Sequence, residues 1–274
     1  MTIIKRVLAY FFLSIAAFIS IFPFLWMIIS ATNTSSDVAK GRLLPGSHLF
    51  ENMKNLFDTA DMGTALTNSA LIAIGTTIMA LIIGSLAGYG FEIYRSKKKD
   101  VLFNVLLLSM MIPFAALMVP LYRMFGGIST TVPSIGIDTL AAAALPTITT
   151  AFLIFFFRQN TKMFAKELVE AGRMDGLSEI GVFFRIFMPS MKTAYAAAAI
   201  ITFMNSWNNY LWPLVVLQSP EKQTIPLLIS NLGSGYSPDF GVIMMAIVIG
   251  TLPTALVFFL MQKHFVAGMM GSVK

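Results

Sequence analysis

Six stretches of this chain run for 18 to 26 residues without a single Asp, Glu, Lys, Arg or His: Val7 to Ile29, Leu66 to Phe91, Val101 to Leu121, Leu140 to Phe157, Thr193 to Val216 and Gly241 to Met261. A helix rises about 1.5 Å per residue, so about 20 residues cross a hydrocarbon core of roughly 30 Å. Charged residues make up only 12% of the chain and hydrophobic ones 57%, which excludes an ordinary soluble domain. The expected fold is therefore an all-α membrane protein with six transmembrane helices.

Orientation follows from Lys and Arg, which cytoplasmic loops retain in excess. With the N-terminus inside, the cytoplasmic pieces hold fourteen of the 19, among them Lys5, Arg6, Arg95 and Lys97 to Lys99, and the external pieces hold five. Both termini are thus expected in the cytoplasm of a bacterial cell membrane. The net charge of +6 is then a topology signal and carries no indication of nucleic-acid binding. Lys5-Arg6 before an apolar run also suits a signal peptide, but the run exceeds the usual apolar core of about 7–15 residues, so it reads as an uncleaved anchor.

Between the spans, residues 31–65 form a polar external segment with a short helix expected near Glu51 to Asp58. Residues 123–139 and 218–240, rich in Gly and Pro, are expected as external loops. All spans but the second carry proline, at Pro23, Pro113, Pro146, Pro213 and Pro253. Kinks that open a pathway are one reading, but proline is common in membrane helices generally. In the second span Thr76, Ala80, Gly84 and Gly88 recur every four residues and give a small-residue face for close helix packing, within the chain or against another subunit.

Nothing suggests catalysis by this chain. His48 and His264 are isolated, there is no cysteine for disulfides, iron–sulfur clusters or thiolate zinc, and no phosphate-binding Gly-x-x-x-x-Gly-Lys-Ser/Thr loop occurs. No metal site is expected, and if ATP drives the protein another polypeptide must bind it. An ion-coupled carrier usually places ionisable residues within the membrane. None lies in these spans, although sodium coordination by backbone carbonyls remains open.

The charged island from Glu167 to Pro189 is the exception to this apolar pattern. From Lys166 to Met174 a helix would align Leu168, Ala171, Gly172 and Asp175 on one low-relief face. Asp175-Gly176 is a turn signal, and Ser178 is a suitable N-cap for a second helix whose Ile180, Phe183, Phe184 and Phe187 would lie beneath the bundle until Pro189 ends it. Glu170-Ala171-Gly172, then Gly176 after three intervening residues, then Ile186-Phe187-Met188-Pro189 after nine more, resembles the cytoplasmic loop of permease subunits of binding-protein-dependent ABC importers. That loop reads Glu-Ala-Ala, three residues, Gly, nine residues, Ile-x-Leu-Pro, and here Gly172 and Met188 depart from it.

Two further segments extend the resemblance. Trp207-Asn208-Asn209-Tyr210 with Trp212-Pro213 looks like the fifth helix of carbohydrate-importing permeases. The tail, Gln262 to Gly268 and Gly271-Ser272-Val273-Lys274, is similar to the C-terminus of the smaller permease subunit of maltose-type importers. The resemblance implies a type I importer permease fold and a heterodimer with a second homologous permease. It also implies two copies of a cytoplasmic ATPase that binds ATP and Mg, and an external solute-binding protein, in a lipid membrane.

On that basis residues 1–65 are the first helix and external segment, 66–265 the transmembrane core with coupling loop 158–192, and 266–274 a cytoplasmic tail. Glu167, Glu170, Ala171, Gly172, Asp175, Gly176, Ile186 and Pro189 form the ATPase-coupling loop, and Asn205, Trp207, Asn208 and Asn209 are expected along the substrate path. Gly268, Gly271 and Lys274 are expected to touch the ATPase, with the two glycines stopping the sixth helix. An importer for a non-sugar solute, an ion-coupled sugar carrier and a non-transporting scaffold that recruits a soluble protein remain as alternatives.

Overall fold

A computed structural model describes residues 3–270, with backbone alone for 263–270. The helices are α1 (Ile3–Ser30), α2 (Ser35–Ala39), α3 (Leu49–Thr59), α4 (Met62–Ile93), α5 (Lys97–Leu108), α6 (Phe114–Thr131), α7 (Leu140–Ile148), α8 (Ala151–Thr161), α9 (Glu167–Met174) and α10 (Glu179–Val182). After a π-helical turn at Phe183–Phe187 come α11 (Met188–Ser190), α12 (Lys192–Trp207), α13 (Leu211–Val216), α14 (Ile225–Gly233) and α15 (Phe240–Met270). Among the described residues there is no strand.

Three helices, α1, α4 and α15, are each long and apolar enough to cross a membrane. Three bent pairs bring the number to six if each pair is one span. The expected third span is not a continuous helix: the segments Lys97–Met111 and Phe114–Thr131 meet at 100°. The cause lies at Ile112, extended at φ −82°, ψ 118°, because the following Pro113 disfavours helical angles before it and brings no N–H. The fourth span bends by 42° between α7 and α8, at Thr149–Thr150 and not at Pro146. Each new start is capped, since the hydroxyls of Thr139 and Thr150 accept from the backbone N–H of Ala142 and Leu153.

Other expectations shift too. α6 continues through Gly126-Gly127 to Thr131, so half of the expected loop 123–139 is helical. The expected helix near Glu51 appears as α3, and α14 occupies part of the loop 218–240. The fifth span is interrupted at Asn208–Tyr210 between α12 and α13. The sixth helix passes Gly268 and runs to Met270, against the expected stop; Gly271 and Lys274 lie outside the described residues.

The chain forms two units. In the first, Met1–Ala65 with Ile225–Leu252, α1 is exposed along nearly its whole length, which suits a lipid-facing helix. Buried Asn52 holds the adjoining turn by donating to the carbonyls of Ala31 and Asn33, both at 2.9 Å. Gly241 passes so close that a Cβ there would lie 2.7 Å from the Asn33 carbonyl oxygen.

In the second unit, Leu66–Thr224 with Pro253–Lys274, the small-residue face of α4 packs on α8 of the same chain. A Cβ on Gly84 would lie 3.0 Å from Leu153 and one on Gly88 2.6 Å from Phe157. Ala80, Leu153, Phe157 and Ala198 form the buried core there. The stripe is therefore intramolecular packing. Trp212, wholly buried, donates from Nε1 to the Ala142 carbonyl at 2.9 Å and ties α13 to α7.

Candidate functional site

Residues 158–192 fold back on themselves. α9 forms where expected and places Glu167 and Glu170 in its first turn and Arg173 in its last, the arrangement its dipole favours. Asp175 closes the helix, and Gly176 reverses the chain at φ +81°, a conformation costly for a residue with a Cβ. Ser178 then caps the second arm by accepting from the Gly181 N–H at 3.2 Å.

The two arms pack through residues that the helical pattern placed elsewhere. Gly172 is buried at the crossing, where a Cβ would lie 2.5 Å from Ile186 Cδ1 and 3.3 Å from Val182 Cγ2, so it is not part of an exposed face with Ala171. Phe183 and Phe187 are anchored as expected, packed edge-on against Tyr89 of α4 at 5.4 and 4.8 Å. Ile180 and Phe184 are instead exposed, 72% and 45%, and Val182 takes the inward position. The π turn accounts for Phe184, because its wider i→i+5 bonding shifts the apolar face away from 3.6-residue spacing, while Ile180 precedes it in α10. Pro189 is tolerated in the first turn of α11, and the turn falls at Met191.

Charged contacts cross-tie the loop. Arg173 grips Glu179 with Nε to Oε1 at 2.7 Å and Nη2 to Oε2 at 3.3 Å, and the Tyr94 hydroxyl donates to Glu179 Oε2. Arg173, and then Tyr94, hold the Glu179 carboxyl below its ordinary range. Desolvation and the Glu179 contact push Tyr94 up.

Beneath this, Arg158 in α8 meets Glu92 at the end of α4 at 3.4 Å and also Asp100 of α5, while its guanidinium lies 4.1 Å from the Phe103 ring centre. Glu92 reaches Lys166, the N-cap residue of α9, through its other oxygen at 3.5 Å. A buried carboxylate thus connects α4, α8 and the first arm of the loop.

Left outward are Glu167, Glu170, Ala171, Asp175 and Pro189, with Met174 88% exposed. The arrangement is a rigid bracket presenting carboxylates and an apolar tip. Glu92 and Arg158 escaped the sequence reading because each sits one residue beyond an apolar span, which made both look like loop residues. The signal available was an Arg directly after Phe155-Phe156-Phe157.

The expected path residues separate. Trp207 is buried, 4% exposed, and stacked on Phe203 at 5.7 Å. Asn208 is the C-cap of α12 and spends an amide N–H on the Met204 carbonyl at 2.8 Å, and Asn209 lies in the interruption that follows. Neither Asn208 nor Asn209 is in a continuous helix. Asn205 lines a cavity of 120 Å³ with Thr76, Thr147, Thr150, Thr202 and Ser206 beside the α7–α8 break. Thr76 is 1% exposed and its hydroxyl has no hydrogen-bond partner among the described residues.

The family described as "Binding-protein-dependent transport system inner membrane component" matches residues 80–271. The chain is 48% identical to the lactose transport system permease protein LacG of Rhizobium radiobacter, over the full length of both. It is 32% identical to the arabinooligosaccharides transport system permease protein AraQ of Bacillus subtilis, covering 99% of this chain and 96% of that one. Its identity to the sn-glycerol-3-phosphate transport system permease protein UgpE of Pectobacterium atrosepticum is 30%, with 93% and 92% covered. A chain from the crystal structure of a bacterial ABC transporter involved in import of the acidic polysaccharide alginate matches the fold at a TM-score of 0.82, covering 96% of each chain at 19% identity.

Proposed function

This chain belongs to the family of inner-membrane components of binding-protein-dependent transport systems, and on that premise we propose that it is the permease subunit of an ATP-driven carbohydrate importer whose bracket at 167–189 docks a separate ATPase. The family implies an ATPase and a binding protein as partners. Pairing with a second homologous permease, two ATPase copies and cytoplasmic termini belong to the proposal. So do the placing of ATP and Mg on the ATPase and the lack of a catalytic site in this chain.

The observation that carries the reading is the coupling of the bracket to the bundle. Glu92 joins the Lys166 end of α9 to Arg158 in α8, and Tyr89 holds the second arm, so a force on Glu170 or Met174 moves α4 and α8 rather than bending a loose loop. ATP binding would close the ATPase pair and draw the brackets together, turning the helices so that the path opens to the loaded binding protein. Docking must differ in strength between the two states, since equal affinity shifts no equilibrium.

Carbohydrate is favoured by the named solutes of the relatives, two sugars and a polyol phosphate. It is also favoured by the hydroxyl-lined cavity at Thr76, Thr150 and Asn205, where a sugar hydroxyl would satisfy the orphaned Thr76. Proteoliposomes holding the assembled transporter test this directly. Loaded binding protein outside and ATP inside should drive sugar uptake that survives ionophores. Uptake driven by an ion gradient without ATP would contradict it.

A further inference from the structure

A second cavity, of 440 Å³, opens beside the start of α5 and the end of α8, on the side of the bundle that carries the bracket. That volume falls in the range of about 300–1,000 Å³ usual for small-molecule sites. Arg95, Arg158 and Lys162 line it together with the amides of Asn104 and Gln159, and Asp100 is its one carboxylate. Arg158 is 5% exposed, held in place by Glu92 and Asp100.

The charges do not balance. Arg95, Arg158, Lys162 and Lys166 are four cations against the two carboxylates Glu92 and Asp100, and Lys162 has no carboxylate partner among the described residues. Fixed cations beside amide donors form a receptor for a phosphate oxygen. The walls continue into apolar surface: Leu107 lines the cavity, and Val101, Leu102, Val105 and Leu108 on the same helix are 57–64% exposed. A free anion has no use for that surface, whereas acyl chains do.

We infer that this cavity binds the phosphate headgroup of an anionic phospholipid from the leaflet on the bracket's side, its acyl chains lying along α5. Basic pockets between transmembrane helices suit such headgroups, and each nearby Lys or Arg adds to the attraction. Because Lys162 lies in the link from α8 to α9, a bound headgroup would also brace the root of the bracket.

The test uses the assembled transporter, purified and delipidated, with thermal protection and lipid retention in native mass spectrometry as readouts. Phosphatidylglycerol should protect and remain bound, while phosphatidylcholine and inorganic phosphate should not. The double substitution Arg95→Gln/Lys162→Gln should weaken phosphatidylglycerol binding roughly tenfold, and Lys97→Gln/Lys98→Gln, equally cationic but outside the cavity, by less than about threefold. If the first pair fails to assemble, Lys162→Gln alone, which breaks no ion pair, carries the comparison. Equal protection by phosphatidylcholine, equal protection by inorganic phosphate, or an equal loss from the Lys97/Lys98 pair would overturn the site.

Discussion

Arg158 Nε lies 3.4 Å from Glu92 Oε2, and the two side chains are only 6% and 4% exposed. Breaking a buried pair by removing one partner strands the other charge and costs about 3–5 kcal/mol, while removing both is often close to neutral. Glu92→Gln should therefore lower the thermal midpoint sharply, and Glu92→Leu/Arg158→Met should recover part of the loss. Recovery stays partial because Lys166 and Asp100 also lose a partner. An unchanged midpoint in Glu92→Gln would show that the pair contributes nothing.

The Arg173–Glu179 tie has a defined pH window. Its carboxylate pKa lies below the ordinary 4.5, held there first by Arg173 and then by Tyr94. A depressed carboxylate contributes stability above its unfolded pKa and loses it as pH falls through the folded one. Protease cleavage of the bracket should thus be flat from neutral pH to about 5 and rise only below about 4. Glu179→Gln should raise cleavage at neutral pH and remove that acid rise.

Topology is testable in this cysteine-free chain. Ser47, Ser237 and Lys98 are all exposed. Cysteines at Ser47 and Ser237 should react with an impermeant thiol reagent in intact cells whose outer barrier has been permeabilised, and one at Lys98 should not. Lys98 is preferable to Ser96, whose hydroxyl caps α5. Labelling at position 98 alone would invert the orientation.

The hydroxyl-lined cavity separates stability from transport. The Thr76 hydroxyl makes no hydrogen bond among the described residues, so Thr76→Val removes a buried unsatisfied hydroxyl and should hold the thermal midpoint or raise it. Uptake at low sugar concentration should nevertheless fall several-fold, and Asn205→Ala should do the same. Trp207→Ala, by contrast, opens a buried site and should cost about 3–5 kcal/mol in stability. Normal uptake in Thr76→Val would remove Thr76 from the path.

Much of this was legible in residue type and spacing. The six apolar runs located the long helices α1, α4 and α15 and the bent pairs α5–α6 and α7–α8, Gly176 and Ser178 located the turn and cap of the bracket, and the four-residue rhythm of Thr76, Ala80, Gly84 and Gly88 located a packing face. What hid was whatever depends on a departure from regular helix. The π turn at Phe183–Phe187 moved Phe184 off the inward face, the third span broke at Ile112–Pro113, and the break at Thr149–Thr150 lies beside a polar cavity in apolar sequence. Gly172 shows the same limit, since a glycine on a helical wheel reads as low relief whether it faces a partner protein or its own second arm.

The central claim is that the bracket docks the ATPase, and Gly176 tests it most directly. Its φ of +81° suits glycine, and nothing lies within 4 Å of where a Cβ would stand. Gly176→Val therefore introduces backbone strain of about 1–2 kcal/mol without a clash. The measurement is the amount of ATPase that co-purifies with membrane-inserted permease, wild type against Gly176→Val, with sugar uptake followed in parallel. Normal insertion with loss of both the ATPase and uptake is the predicted result. A Gly176→Val permease that inserts, keeps its full complement of ATPase and transports at the wild-type rate would contradict the account.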